Sequence, residues 1–87
     1  MTYRVIHTDG TETALAVAGR RPSLEELQAA VGGYIELVRV KGGELWVNED
    51  GLSLQLPPNP AASLIAGVYI VGPAVLALRA RRGGQPV

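Results

Sequence analysis

Residues 33–51 read GYIELVRVKGGELWVNEDG. Apolar residues alternate with polar ones on both sides of the central glycine pair, and a period of two interrupted by glycine predicts a β-hairpin. A two-residue type I′ loop, which needs positive φ at both of its positions, would consist of Gly42 and Gly43. That register pairs Val40 with Leu45, Val38 with Val47 and Glu36 with Glu49.

The predicted hairpin has two unlike faces. The face predicted to point at the main core carries Val38, Val40, Leu45 and Val47. The amphipathic face carries Ile35, Leu37, Arg39, Trp46 and Asn48. A chain this small covers both sides of a sheet poorly, so we expect another element or another molecule to cover part of the amphipathic face.

Another hairpin is predicted near the start of the chain. Residues 3–8 and 11–17 are rich in β-forming residues. The Asp9-Gly10 dipeptide between them is the one that best fits a two-residue type I′ turn. This turn would place His7 opposite Glu12 and Val5 opposite Ala14.

The clearest helix signal begins at Ser23. Ser23 and Glu26 match a capping box, in which each side chain bonds the backbone N–H of the other residue. An apolar stripe with the helical period follows, and the Gly32-Gly33 pair ends it. The sequence therefore predicts a helix from residue 24 to that glycine pair.

A short helix and a last strand are predicted after the central hairpin. Asn59-Pro60 places a preferred N-cap before a proline at the first helical position, which predicts a helix over residues 60–66. Residues 68–71 and 74–78 then predict one strand with a break at Gly72-Pro73. Since proline cannot donate to a sheet ladder, this break indicates a bulge or a sheet edge.

These elements follow the order β-β-α-β-β-α-β, which is typical of the α+β class. We expect a curved, mainly antiparallel sheet, which becomes mixed if the last strand inserts beside an earlier one. One main helix is predicted to pack on one face of the sheet, and a short second helix is predicted without assignment to a face. Residues 1–80 are predicted to form a single domain and residues 81–87 a flexible C-terminal tail.

The composition excludes several classes of function. The chain has 87 residues, no cysteine and one histidine. It therefore has no disulfide framework, thiolate metal site, thiol nucleophile or multi-histidine metal site. Eight basic residues balance eight acidic ones, so we expect no tight binding of nucleic acid. No motif indicates a cofactor.

The distribution of apolar residues predicts a cytoplasmic protein that does not enter membranes. The first residues, MTYR, do not begin an apolar signal segment. The longest apolar run, residues 64–78, contains two glycines and a proline. It is also shorter than the roughly 20 residues that span a bilayer.

Three acidic residues form one candidate group at the end of the hairpin: Glu36, Glu49 and Asp50. Two carboxylates opposite each other on a sheet face can share a proton or bind a hard cation through oxygen. Metal binding by Glu36 and Glu49 is the weaker alternative. The stronger one is that each carboxylate is simply solvated.

The other candidate group is a binding surface formed by Arg39, Trp46 and Asn48, with Arg39 opposite Trp46 in the predicted register. Arginine over an indole ring contributes roughly 0.5–2 kcal/mol, and both residue types are common in interface hot spots. A nucleobase could also stack on Trp46, although single-strand binders usually carry several aromatic residues on a basic sheet. The structural alternative is that Trp46 packs under the second helix as part of the core.

Four motifs within residues 24–76 resemble a family of small domains of unknown function found in phages, plasmids and bacterial genomes. The motifs are GGYIE from Gly32, WVNEDG from Trp46, LPPN from Leu56 and IVGP from Ile70. The resemblance implies no activity and no catalytic residue. Its polar positions, Glu36, Asn48, Glu49 and Asn59, include a helix cap and a turn residue, so folding alone can account for them.

Three hypotheses follow for the function. The first is a non-enzymatic interaction or accessory module, of mobile-element origin, that forms a homodimer or binds another protein. The second is a weakly nucleic-acid-associated protein that uses Arg20, Arg21, Arg39 and the arginines near the C-terminus. The third is a small metal-dependent enzyme or ligand-binding domain built on Glu36 and Glu49. The first requires the least of the sequence and is preferred.

Overall fold

The computed structural model describes residues 2–79. Within that range it contains β1 (Thr2–Ile6), β2 (Glu12–Ala14), α1 (Leu24–Val31), β3 (Ile35–Val40), β4 (Gly43–Asn48), α2 (Pro60–Ala66) and β5 (Ala74–Leu78). The predicted order β-β-α-β-β-α-β and the α+β class are confirmed. The tail predicted over residues 81–87 lies outside the described residues.

All the strands form one antiparallel sheet in the order β2-β1-β5-β4-β3. The last strand does insert beside earlier ones, but β5 runs antiparallel to both β1 and β4, so the sheet is not mixed. Residues 74–77 are all buried. A strand covered on both faces needs no polar positions, which explains its continuous apolar run.

The segment predicted as the first half of the last strand is not a strand. Over residues 68–71, Val71 makes an isolated bridge to Pro58. Gly67 and Gly72 flank the segment with φ of 72° and 77°, so the chain turns at both ends. The predicted break at Gly72-Pro73 is therefore the entrance to a central strand and not an interruption at a sheet edge.

The first hairpin has a register one residue away from the predicted one. Val5 lies opposite Thr13, and Ile6 lies opposite Glu12. The predicted pairs of His7 with Glu12 and of Val5 with Ala14 are therefore wrong. The Nε2 atom of His7 is instead 2.8 Å from the Thr13 hydroxyl.

The cause of this shift is a three-residue loop, closed by the His7 carbonyl and the Gly10 N–H at 3.0 Å. Gly10 alone has positive φ, 88°. Asp9 accepts hydrogen bonds from the hydroxyl and the backbone N–H of Thr11, at 2.6 and 2.9 Å. Both bonds lower the pKa of Asp9, and the bond from the Thr11 hydroxyl has the larger effect. They favour a turn that keeps Asp9 at negative φ over the type I′ turn.

The central hairpin has the predicted faces with a register shifted by two residues. Val38 lies opposite Leu45, and Glu36 lies opposite Val47. The loop consists of Lys41 and Gly42, and of these two only Gly42 has positive φ. A shift of two leaves every side chain on its predicted face, because side chains alternate with a period of two.

Gly43, predicted in the loop, is the first residue of β4. A Cβ built on Gly43 would overlap the backbone carbonyl oxygen of Ala77 in β5. The glycine is therefore needed where β4 and β5 approach each other, rather than for a left-handed turn. This packing requirement arises between distant segments and leaves no local signal in the sequence.

The two helices pack on opposite faces of the sheet. Under α2 lies a cluster of Ile6, Leu45, Val47, Ala62, Ile70, Ala74 and Leu76. Under α1 lies a cluster of Val5, Leu27, Val31 and Val75, against which Ile35 and Trp46 also pack. The predicted core face is confirmed, whereas Trp46 packs with the α1 cluster and not under the second helix.

One fully buried asparagine, Asn59, attaches α2 to the rest of the fold. Its side-chain oxygen accepts from the Ala62 N–H at 3.1 Å, which caps the helix. Its side-chain nitrogen donates to the carbonyls of Ile6 and Gly72, at 3.0 and 2.9 Å. The predicted cap is confirmed, and the same amide also bonds β1 and the segment before β5.

Candidate functional site

A cleft of about 420 Å³ opens on the α1 face of the sheet. Its lining residues are Tyr3, Arg21, Pro22, Leu27, Glu44 and Trp46. It combines two aromatic side chains with one basic and one acidic side chain. We call this the Trp46 cleft.

The sheet register places the floor residues of the Trp46 cleft. Tyr3 lies opposite Ala77, and Ala77 lies opposite Glu44, so these three side chains form one row across β1, β5 and β4. Trp46 is two positions along β4 from Glu44 and therefore on the same face. The juxtaposition of Tyr3 and Trp46 depends on β5 lying between their strands.

The wall of the cleft is a loop held against the start of α1. The Glu26 carboxylate accepts from the Ser23 N–H at 2.7 Å and from the Ala18 N–H at 3.0 Å. The Ser23 hydroxyl accepts from the Glu26 N–H at 3.1 Å, which completes the predicted capping box. Both backbone bonds lower the pKa of Glu26, and the bond from Ser23 has the larger effect. Together they position Arg21 at the cleft.

Arg39 does not line the Trp46 cleft and is not opposite Trp46. It lies opposite Glu44, with its guanidinium 3.8 Å from the Glu44 carboxylate, while Leu37 lies opposite Trp46. The pairing of Arg39 with Trp46 is wrong because the hairpin register is shifted by two. An ion pair this exposed contributes between zero and about 1 kcal/mol.

Asn48, the third residue of the predicted binding surface, lies outside the cleft lining and is buried. Its side-chain nitrogen donates to the Val31 carbonyl at 3.1 Å, and its oxygen accepts from the Asp50 N–H at 2.8 Å. Gly33 leaves room for it, since a Cβ there would be 2.9 Å from the Asn48 nitrogen. Asn48 therefore joins the end of α1 to the turn after β4.

The predicted acidic group is only partly assembled. Glu36 lies opposite Val47, so the predicted pairing of Glu36 with Glu49 is wrong. Both glutamates do line a second cleft, of about 230 Å³, on the α2 face of the sheet. Asp50 is not among its lining residues. Within residues 2–79 no group of three His, Asp or Glu side chains is arranged to hold a metal ion.

An exposed apolar surface borders this second cleft. It consists of Leu52 (70% exposed), Leu64 (86%), Val68 (56%) and Tyr69 (65%). Leu52, Val68 and Tyr69 line the cleft, and Leu64 is on α2, four residues before Val68. We call these four residues the α2 surface. The sequence placed the exposed apolar face at Ile35, Leu37 and Trp46 instead, because α1 could not be assigned to either side of the sheet.

These observations define a small α+β domain with a mixed cleft on one face of its sheet and an apolar surface on the other. The chain matches the family described as a domain of unknown function (DUF3846) over residues 1–86 and belongs to that family. The match extends well beyond residues 24–76, where the resemblance was noted. No curated protein and no solved structure matches the chain.

Trp46 and Arg39 were predicted as binding residues, whereas Tyr3 and Arg21 were not predicted as neighbours of the indole ring. Tyr3 is in a strand that pairs with β5, and Arg21 is in a loop whose position depends on Glu26. No helix within residues 2–79 is sufficiently long and apolar to cross a bilayer.

Proposed function

We propose that this domain is a non-enzymatic interaction module that self-associates through the α2 surface. The observation that carries the proposal is Leu64, an apolar side chain that is 86% exposed in the middle of a helix. An amphipathic helix normally turns such residues inward. Here α2 turns Ala62 inward and Leu64 outward.

Three further exposed apolar side chains extend this surface beyond one residue. Contiguous apolar patches of several hundred Å² commonly mark interaction sites. An isolated helix of seven residues is unstable in water, so α2 depends on its Asn59 cap and on packing against the sheet. A second copy bound to the outer side of α2 would bury Leu64 and Val68 and stabilise that packing.

Sedimentation velocity over a range of concentrations tests the proposal. We expect a homodimer for the wild type and a monomer for Leu64→Lys. Leu24→Lys is the matched control, because Leu24 is 54% exposed at the start of α1 and lies away from the α2 surface. A wild-type monomer at high concentration contradicts the proposal.

Leu37→Lys separates this surface from the face favoured by the sequence. Leu37 is 42% exposed on the amphipathic face of β3. If Leu37→Lys dissociates the dimer and Leu64→Lys does not, the association uses the β3 face instead. Thermal unfolding of each variant shows whether a change in mass reflects loss of folding.

The wider role proposed for this module is that of an accessory protein of a mobile genetic element. The resemblance of its motifs to domains found in phages and plasmids supports this proposal. The genes that neighbour it provide the test. We expect phage or plasmid genes beside it, and consistent placement among unrelated chromosomal genes would contradict the proposal.

A further inference from the structure

We infer that the Trp46 cleft is a binding site for a nucleotide, with the base against Trp46 and Tyr3 and the phosphate on Arg21. The cleft lies on the opposite face of the sheet from the α2 surface, so this site is independent of the proposed self-association. Either proposal can fail without affecting the other.

The size of the cleft is suitable for one small ligand. At about 420 Å³ it falls within the range of roughly 300–1,000 Å³ that is typical of small-molecule sites. Pro22 and Leu27 complete its apolar lining. A bounded cleft of this size accepts a single nucleotide more readily than an extended peptide.

The aromatic side chains provide surfaces for a planar base. Stacking on aromatic side chains accepts any base, since every base has a π face. The sequence showed Trp46 alone, and the fold adds Tyr3 to the same cleft. Within residues 2–79 every buried side-chain polar atom has a hydrogen-bond partner. The indole N–H of Trp46 makes no hydrogen bond there, so it is not buried and can donate to a ligand.

The two charged side chains that line the cleft suit the two ends of a nucleotide. Arg21 forms no ion pair within residues 2–79, and a guanidinium binds phosphate through paired N–H donors. The carboxylate of Glu44 can accept from the amino group of a base. A single phosphate contact beside a carboxylate predicts weak, salt-dependent binding, which agrees with the zero net charge of the chain.

Tryptophan fluorescence provides a direct measurement, because Trp46 is the single tryptophan of the protein. The full chain is titrated with AMP, GMP, CMP and UMP at low salt, and with the matching nucleosides. We expect saturable quenching by at least one nucleotide and weaker binding of its nucleoside. The absence of saturable quenching by all four nucleotides overturns the inference.

Arg21→Gln and Arg20→Gln form a matched pair for this titration. Both remove one positive charge from the same loop, but only Arg21 lines the cleft. We expect Arg21→Gln to weaken nucleotide binding about tenfold and to leave nucleoside binding unchanged, whereas Arg20→Gln changes neither. Equal weakening by both variants indicates nonspecific attraction and overturns the inference.

Chemical-shift mapping on the wild type tests the location without any substitution. We expect the shifts caused by the nucleotide to centre on Tyr3, Leu27, Glu44 and Trp46. Shifts centred elsewhere, such as at Arg79, overturn the inference. A titration with short single-stranded oligonucleotides distinguishes a free nucleotide from one within a strand, because binding much tighter than that of the mononucleotide identifies the strand as the source.

Discussion

The two helices illustrate two ways of securing a short helix on a sheet. At its start α1 has a complete capping box, and it ends at Gly32 with φ of 81°. At its start α2 has one side chain, Asn59, which also bonds β1 and the segment before β5. The start of α1 is therefore held by local contacts, whereas that of α2 depends on distant parts of the chain.

Each helix is also joined to the sheet by one buried asparagine, and the two differ in what they hold. Asn48 lies at the end of β4 and bonds the last turn of α1. Asn59 precedes α2 and bonds three separate backbone segments. Loss of Asn48 leaves α1 its own cap, while loss of Asn59 removes both the cap of α2 and its anchor.

The largest effect is expected for Asn59→Ala. It removes the cap of α2 and the two hydrogen bonds that Asn59 donates to the carbonyls of Ile6 and Gly72, which together cost about 4 kcal/mol. That is much of the stability of a small domain.

Urea unfolding followed by circular dichroism measures the loss. Asn59→Ser separates the two roles, because serine is an equally good cap but cannot bond both carbonyls. A Ser variant as stable as the wild type would show that only the cap matters.

Two glycine substitutions test the close approach of β4 and β5. Gly43→Ala places a Cβ against the Ala77 carbonyl and should destabilise the domain by about 3 kcal/mol. Gly42→Ala keeps open space around its Cβ and should lose only about 1 kcal/mol through its positive φ. Thermal melts of both variants provide the comparison. Equal losses would favour the turn first predicted at Gly42-Gly43.

A smaller effect is expected for Asn48→Ala. The variant leaves the Val31 carbonyl and the Asp50 N–H without their partner, for a loss of about 2 kcal/mol. Since α1 retains its capping box, this loss should be smaller than that of Asn59→Ala under the same conditions. If urea unfolding gives the reverse order, α2 is the more independent helix and the comparison between them is wrong.

The smallest effect is a pH dependence at the start of α1. The pKa of Glu26 is lowered in the folded state by its bonds to the Ser23 and Ala18 N–H groups. Its stabilising contribution is therefore complete above the unfolded-state pKa and is lost as the pH falls through the folded-state pKa. Urea midpoints from pH 7 to about pH 3 should converge for the wild type and Glu26→Gln.

Glu25→Gln is the control for that series, since Glu25 is the neighbouring acid in the same helical turn and accepts none of these bonds. Its stability difference from the wild type should change less with pH. A wild type and Glu26→Gln that differ equally at pH 7 and pH 3 would show that the bonds do not depend on the charge of the carboxylate.

Much of the fold could be predicted because its signals are local. The capping box at Ser23 and Glu26, the asparagine before Pro60 and the alternation through residues 35–48 each concern neighbours along the chain. Such signals gave the element order, the core face of the central hairpin and the cap of α2. The candidate site was less accessible, since Trp46 and Arg21 were predicted binding residues in separate hypotheses and nothing local indicated that they meet in one cleft.

By itself, the sequence determined the order of the strands and helices and the apolar side of the central hairpin, since these follow from periodicity and short-range capping. Tertiary structure decided the registers, the insertion of β5, the side of the sheet that each helix covers, and the meeting of Tyr3, Arg21 and Trp46. The physical reason is distance along the chain. Gly43 is a strand residue because Ala77 lies against it, and no local pattern records that approach.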